Sequence, residues 1–184
     1  MLLTLSILWI SFCLLQLLFA TDVCRNIFKF GRYTTLFYTL QFVLILLPVL
    51  YFHVEASSEQ LLPVSFFNKL LGGMMMASGV YLAYLSVKEK GFLKYLGLNT
   101  TNETDTFISE GLHGIVRYPL YLGVMLFLWG MFGFWGYDKS LLMAFVLSVY
   151  FVLNIYLEEK KLVKKHGKTY LKYQSEVPML LPKF

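Results

Sequence analysis

Residues Gly111–Gly123 read GLHGIVRYPLYLG, and the reading of this stretch decides the fold. A polar segment runs up to it and an apolar run of membrane length follows. Pro119 bars Tyr118 from ordinary helical geometry and favours a helix start at itself. His113, Arg117, Tyr118 and Tyr121 are gathered around that start. Such a cluster at the mouth of an apolar helix has two readings. It is an interfacial anchor, since Arg and Tyr are common where lipid meets water, or it is a site. A second polar cluster, Glu158-Glu159 at the far end of the next apolar run, favours the site.

Working outward, the helix that starts at Pro119 is one of five. Uncharged or nearly uncharged runs cover 1–20, 34–54, 70–87, 119–137 and 140–157, each of 18 or more residues. At about 1.5 Å per residue, 18 residues span roughly 27 Å, close to the hydrocarbon thickness of a bilayer. Composition agrees, with 58% hydrophobic and 15% charged residues and a mean hydropathy of +0.63. The expected fold is all-α: a polytopic membrane helix bundle of five transmembrane helices, forming one integral-membrane domain over residues 1–184. The third run carries Gly72, Gly73 and Gly79, small residues that let a neighbouring helix come close. The first run has no basic residue before its apolar core, and that core is too long for a cleaved leader. It reads as a retained helix.

The net charge of +5 could suggest a nucleic-acid partner, but its placement points to a lipid bilayer instead. Of 16 Lys and Arg, 14 fall on one side of a five-crossing bundle. They are Arg25, Lys29 and Arg32, then Lys88, Lys90, Lys94 and Arg117, then the seven lysines that follow the last run. Only Lys69 and Lys139 fall on the other side. The positive-inside rule places the N-terminus outside and the C-terminus in the cytoplasm. The sequons at Asn99 and Asn102 then face the cytoplasm and carry no glycan. Cys13 and Cys24 make neither a disulfide framework nor a metal cluster, and no metal is expected. The tail from Glu158 reads as an interfacial helix, with Leu162, Val163, His166, Tyr170 and Tyr173 at spacings of three and four and Gly167 as a point of interruption. Pro178 and Pro182 end it, leaving 178–184 as an irregular segment packed back on the bundle.

The fourth and fifth runs are joined by the very short link 137–139, so they are antiparallel neighbours. His113–Tyr121 and Glu158-Glu159 thereby reach the same leaflet of one helix pair. Two carboxylates ending an apolar helix are costly unless paired or liganded. Two outcomes stand open: an ion pair of Arg117 with Glu158 or Glu159 that locks the helices, or a charged small molecule bound at the cytoplasmic face.

At these two clusters the chain resembles the membrane-embedded methyltransferases related to isoprenylcysteine carboxyl methyltransferase. That group includes phospholipid N-methyltransferases and thiol methyltransferases, with nurim as a relative. The matching residues are Gly111, Val116-Arg117-Tyr118-Pro119-Leu120-Tyr121-Leu122-Gly123, then Leu157-Glu158-Glu159-Lys160-Lys161-Leu162, then His166-Gly167-Lys168-Thr169-Tyr170-Leu171-Lys172-Tyr173, Val177-Pro178 and Pro182. They cover roughly 105–182. The resemblance implies S-adenosylmethionine as cofactor, held by Asp105, Thr106, Phe107, Ile108, His113, Tyr118, Pro119, Leu120, Tyr121 and Glu158. It implies Arg117 and Glu158 in the catalytic centre and a lipophilic or membrane-associated methyl acceptor. The chain departs from the pattern twice, with His113 where the family usually has Tyr and Tyr118 where it usually has His; both can still hydrogen-bond and stack. In the prenylcysteine enzymes an arginine one turn before the Glu pair holds the substrate carboxylate. Here that position is Asn154, which lacks the charge and the bidentate fork. It is either a substrate contact or a polar residue bonding across to a neighbouring helix. Two other classes compete: an enzyme like the NADPH-dependent sterol reductases, whose site wants several basic residues, and a non-catalytic nurim-like membrane protein.

Overall fold

The computed structural model describes residues 1–21, 24, 34–63, 65–90 and 111–181. The expectations for Asp105, Thr106, Phe107 and Ile108, for both sequons, and for Arg25, Lys29, Arg32 and Lys94 lie outside the described residues. Among the described residues there are six α-helices: α1 (Leu2–Ala20), α2 (Thr34–Glu55), α3 (Phe66–Lys90), α4 (Pro119–Trp135), α5 (Asp138–His166) and α6 (Lys168–Glu176). A short 3-10 turn, Gly111–Gly114, precedes α4. There is no strand among the described residues beyond an isolated bridge between Gln60 and Tyr137.

Helices α1, α2, α3 and α5 are long and apolar enough to cross a membrane. Helix α4 is as apolar but has 17 residues, roughly 26 Å of rise. The expected run 119–137 is cut short because Gly136, at φ 72°, caps the helix in the left-handed region. In space α3 packs on α4, α4 on α5, α5 on α1, and α1 on α2.

Glycine sets the closest of these contacts. A Cβ on Gly79 would lie 2.5 Å from the Gly123 carbonyl oxygen, and one on Gly72 would lie 2.5 Å from Phe134 N. Reciprocally, Gly123 and Gly130 meet the α3 backbone at Gly79 and Met76. The two backbones therefore touch directly, as small residues permit in a lipid setting where burial alone does not drive association. Helices α1, α2, α4 and α5 share an apolar core of Leu5, Trp9, Phe12, Val49, Leu128, Met143 and Ala144. Two polar pairs lie within it: Trp9 Nε1 donates to His53 Nδ1 at 3.3 Å, and Trp129 Nε1 to Ser148 Oγ at 3.0 Å. Leu40, Leu44, Leu47 and Val54 face outward from α2, as lipid contact requires.

The helix ends sort into two sets. At one end Leu61 N and Leu62 N donate to Gly136 O, Glu59 N donates to Asp138 Oδ1, and Ser57 lies against Met1. At the other, Lys161 Nζ donates to Ala20 O beside the first turns of α4 and the whole of α6. The tail differs from expectation. The helix expected to begin at Glu158 is the continuation of α5, which runs for 29 residues to His166. Lysine and glutamate are good helix formers, so the end of the apolar pattern is not the end of the backbone ladder. The break comes at Gly167 (φ 56°, ψ −129°), and α6 turns back so that Tyr170, Tyr173 and Val177 pack against Leu162 and Val163.

Candidate functional site

Pro119 starts α4 with Tyr118 at its N-cap. The turn before it, carrying His113, comes up beside the fifth and sixth turns of α5. The result is a cleft of about 90 Å³ lined by His113, Arg117, Tyr118, Pro119, Leu120, Tyr121 and Glu158. Seven of the residues expected from sequence at the site are thus brought together. The cleft is smaller than the roughly 300–1,000 Å³ of whole small-molecule sites.

The aromatic side is ordered by stacking. The Tyr118 and Tyr121 rings are 5.7 Å apart and 12° from parallel, and Tyr121 stacks in turn on Phe151 at 5.2 Å. Asn154 Nδ2 donates to Tyr121 Oη at 2.9 Å. Asn154 therefore bonds across to a neighbouring helix, and through that bond it fixes the Tyr121 ring. Burial, reinforced by the Glu158 charge and the neighbouring Tyr170, pushes the Tyr118 phenol well above its usual range. It stays protonated at neutral pH and keeps a proton to donate.

The two carboxylates separate. Glu158 lines the cleft. Glu159 turns to Arg117, with Nε 2.7 Å from Oε1, and its other oxygen accepts from Gln174 Nε2 at 2.9 Å. Arg117 Nη1 also donates to the carbonyls of Gln174 and Val177 at 2.9 and 2.8 Å. Its backbone N–H donates to Pro178 O, and Tyr118 N–H to Met179 O. Of the two outcomes left open by the sequence, the ion pair is formed, and it takes Glu159 rather than Glu158. An Arg117–Glu159 pair locks the helices, and Glu158 is presented to the cleft.

Two contributors were not among the residues expected at the site, although the sequence did point to residues from 178 on packing back on the bundle. The segment 174–179 clamps the loop through its carbonyls, which every residue type possesses. Glu89, near the end of α3, accepts from Leu112 N at 3.1 Å and lies 3.5 Å from His113 Nδ1; in the sequence it reads as one charge of a solvated helix end. Tyr173 Oη donates to the His113 carbonyl at 2.6 Å, and burial pushes its phenol up to about 12. Among the described residues no three His, Cys, Asp or Glu converge on a point that could hold a metal ion.

A family model described as phospholipid methyltransferase matches residues 67–169. A methanethiol S-methyltransferase of a Pseudomonas species is 38% identical over 81 residues, covering 44% of this chain and 30% of that protein. One from Crocosphaera subtropica is 40% identical over 76 residues, 41% of this chain and 29% of that protein. Methanethiol S-methyltransferase 2 of Bradyrhizobium diazoefficiens is 31% identical over 94 residues, with shares of 51% and 35%. The chain thus spans about a third of the length of the curated relatives it matches. No solved structure matches it.

Proposed function

We propose that this chain, which belongs to the phospholipid methyltransferase family, is an S-adenosylmethionine-dependent methyltransferase. It acts at the cytoplasmic membrane face on a lipophilic or membrane-associated acceptor. The observation that carries this reading is the cleft where Glu158 meets the stacked pair Tyr118 and Tyr121. Those residues suit the cofactor chemically. A carboxylate accepts from ribose hydroxyls or an amino group, and electron-rich rings tolerate a sulfonium nearby.

The bound cofactor supplies an electrophilic methyl group. Everything else falls to alignment and exclusion of water. Tyr118 and Tyr121 give a rigid wall, set by Phe151 behind and Asn154 alongside. Arg117 holds the loop in place through Glu159 and the 174–179 segment. That commitment argues against a site for NADPH, whose 2′-phosphate needs a basic partner. For the acceptor, a small thiol is favoured, because the curated relatives are named methanethiol S-methyltransferases. Asn154 supplies no cation for a prenylcysteine carboxylate.

The experiment is thermal stabilisation of the purified protein by S-adenosylhomocysteine against NADPH, followed by transfer of labelled methyl to small thiols, amino lipids and a farnesylcysteine analogue. Stabilisation by S-adenosylhomocysteine and turnover of a thiol are expected. Stabilisation by NADPH alone supports a reductase, and response to neither supports a non-catalytic membrane protein.

A further inference from the structure

The lysines beyond the apolar part of α5 are not equivalent. Lys161 donates to the Ala20 carbonyl, and Lys172 lies 3.8 Å from the Glu176 carboxylate. Lys160 and Lys164 are exposed, and neither meets a carboxylate among the described residues. The Lys160 ammonium instead stands 4.4 Å from the centre of the exposed Tyr156 ring. Further up the same side, Leu153 and Val149 are also exposed. At about 100° per residue, Val149, Leu153, Tyr156, Lys160 and Lys164 fall within an arc of about 80°. One stripe of α5 therefore runs from lipid-facing aliphatics through an aromatic ring to two unpaired ammonium groups.

Depth agrees with this order. Tyr156 stands 18 residues beyond Asp138, the first residue of α5, which is about 27 Å of rise and nearly the hydrocarbon thickness. Lys160 and Lys164 follow by about 6 and 12 Å. Helical side chains lean toward the N-terminus, so both ammonium groups reach back toward the headgroups. We propose that this stripe seats an anionic phospholipid in the leaflet at the cleft's end of the bundle. Its acyl chains lie along Val149, Leu153 and Tyr156, and its headgroup lies between Lys160 and Lys164. Charge complementarity names the occupant: two unpaired cations suit a headgroup of net negative charge, whereas a zwitterionic lipid brings its own ammonium. The Tyr156 ring holds Lys160 in position before the lipid arrives, which lowers the ordering cost of binding. Glu158 points about 160° away from Lys160 around α5. The lipid is therefore neither donor nor acceptor of the methyl group, and its seat stands whether or not the chain transfers one.

The test is native mass spectrometry of the full chain released from detergent micelles that contain dioleoyl phosphatidylglycerol or dioleoyl phosphatidylcholine. The readout is the apparent Kd of the first retained lipid. Wild type is expected to retain phosphatidylglycerol in preference to phosphatidylcholine. Each lysine removed should weaken phosphatidylglycerol about fivefold, so Lys160→Gln/Lys164→Gln should lose about 25-fold and leave phosphatidylcholine unchanged. Lys160→Arg/Lys164→Arg should keep the preference, and Tyr156→Leu should weaken it about two- to fivefold. Lys168→Gln/Lys172→Gln removes the same charge from α6 and should leave the Kd nearly as it was. All of these side chains are exposed, so melting in phosphatidylcholine should not change. Glycerol phosphate, a headgroup without chains, should not compete. A loss in Lys168→Gln/Lys172→Gln as large as in Lys160→Gln/Lys164→Gln overturns the proposal, because charge without position would then suffice. So do equal affinities of wild type for the two lipids, displacement by glycerol phosphate, or a lipid-free dimer that Lys160→Gln/Lys164→Gln dissolves.

Discussion

Glu158 and Glu159 are adjacent in the chain and about 100° apart around α5, and that angle divides their roles. Glu158 faces the cleft, so Glu158→Ala should weaken S-adenosylmethionine binding by about 2–3 kcal/mol, the scale of a charge-assisted hydrogen bond left unmade. The protein should melt nearly as before. Glu159→Ala instead leaves Arg117, whose side chain is 10% exposed, without its carboxylate. The two carbonyl acceptors remain, so the expected cost is about 1.5–3 kcal/mol of stability with a smaller effect on the cofactor. Titration calorimetry with S-adenosylhomocysteine beside thermal unfolding separates the two. Equal losses of affinity in folded proteins would assign both carboxylates to one structural network. The sequence made the meeting of these clusters legible, because the short link 137–139 forces the ends of α4 and α5 together. It did not say which carboxylate takes Arg117, since that depends on the rotation of α5 about its axis. Nor could it show Asn154 on Tyr121, which depends on the same rotation.

Helix α3 was legible as a span and its glycines as a place of close approach, yet which of them matter is a property of the packed pair. Gly79 and Gly123 meet backbone, whereas a Cβ on Gly73 would reach only the Phe134 ring, at 3.9 Å. Gly79→Ala should therefore cost about 1–3 kcal/mol through overpacking, and Gly73→Ala should be tolerated or slightly stabilising through helix propensity. Thermal unfolding in detergent checks this, and a Gly73→Ala as damaging as Gly79→Ala would contradict the packing described. The junction of α5 and α6 is a different case. Nothing lies within 4 Å of a Cβ on Gly167, but its φ is 56° and its ψ −129°. Gly167→Ala should cost about 1–3 kcal/mol by backbone strain alone, and it should loosen the 174–179 clamp on Arg117. The expected signature is a larger fall in affinity for S-adenosylhomocysteine than Gly79→Ala produces. The sequence misplaced the start of the tail helix because hydrophobic pattern marks where lipid ends, while only Gly167 marks where the helix ends.

At the scale of the whole molecule, the ends of the bundle differ in charge as well as in contacts. The loop 57–63 packs on the turn at Gly136–Asp138, and Lys139 sits there with its ammonium on the Val54 and Ala56 carbonyls. The opposite end holds the cleft, Arg117, and the lysines of α5 and α6. The five crossings expected from the sequence would put Met1 with the loop 57–63 and the C-terminal helix with the cleft, and the contact between Ser57 and Met1 and that between Lys161 and Ala20 agree with that arrangement. The charge difference between those ends is what orients a helical membrane protein, and it predicts the cleft on the cytoplasmic side. The cofactor reading needs that orientation, because S-adenosylmethionine is charged and reaches the cleft only from the compartment that contains it. A sequon engineered at Ser57 should therefore acquire glycan in a glycosylating membrane system, while Asn99 and Asn102 should not. Glycan on either native sequon, with none at Ser57, would invert the bundle. The cleft would then open away from its cofactor, and the assignment of Glu158, Tyr118 and Tyr121 to a methyl donor would fail with it.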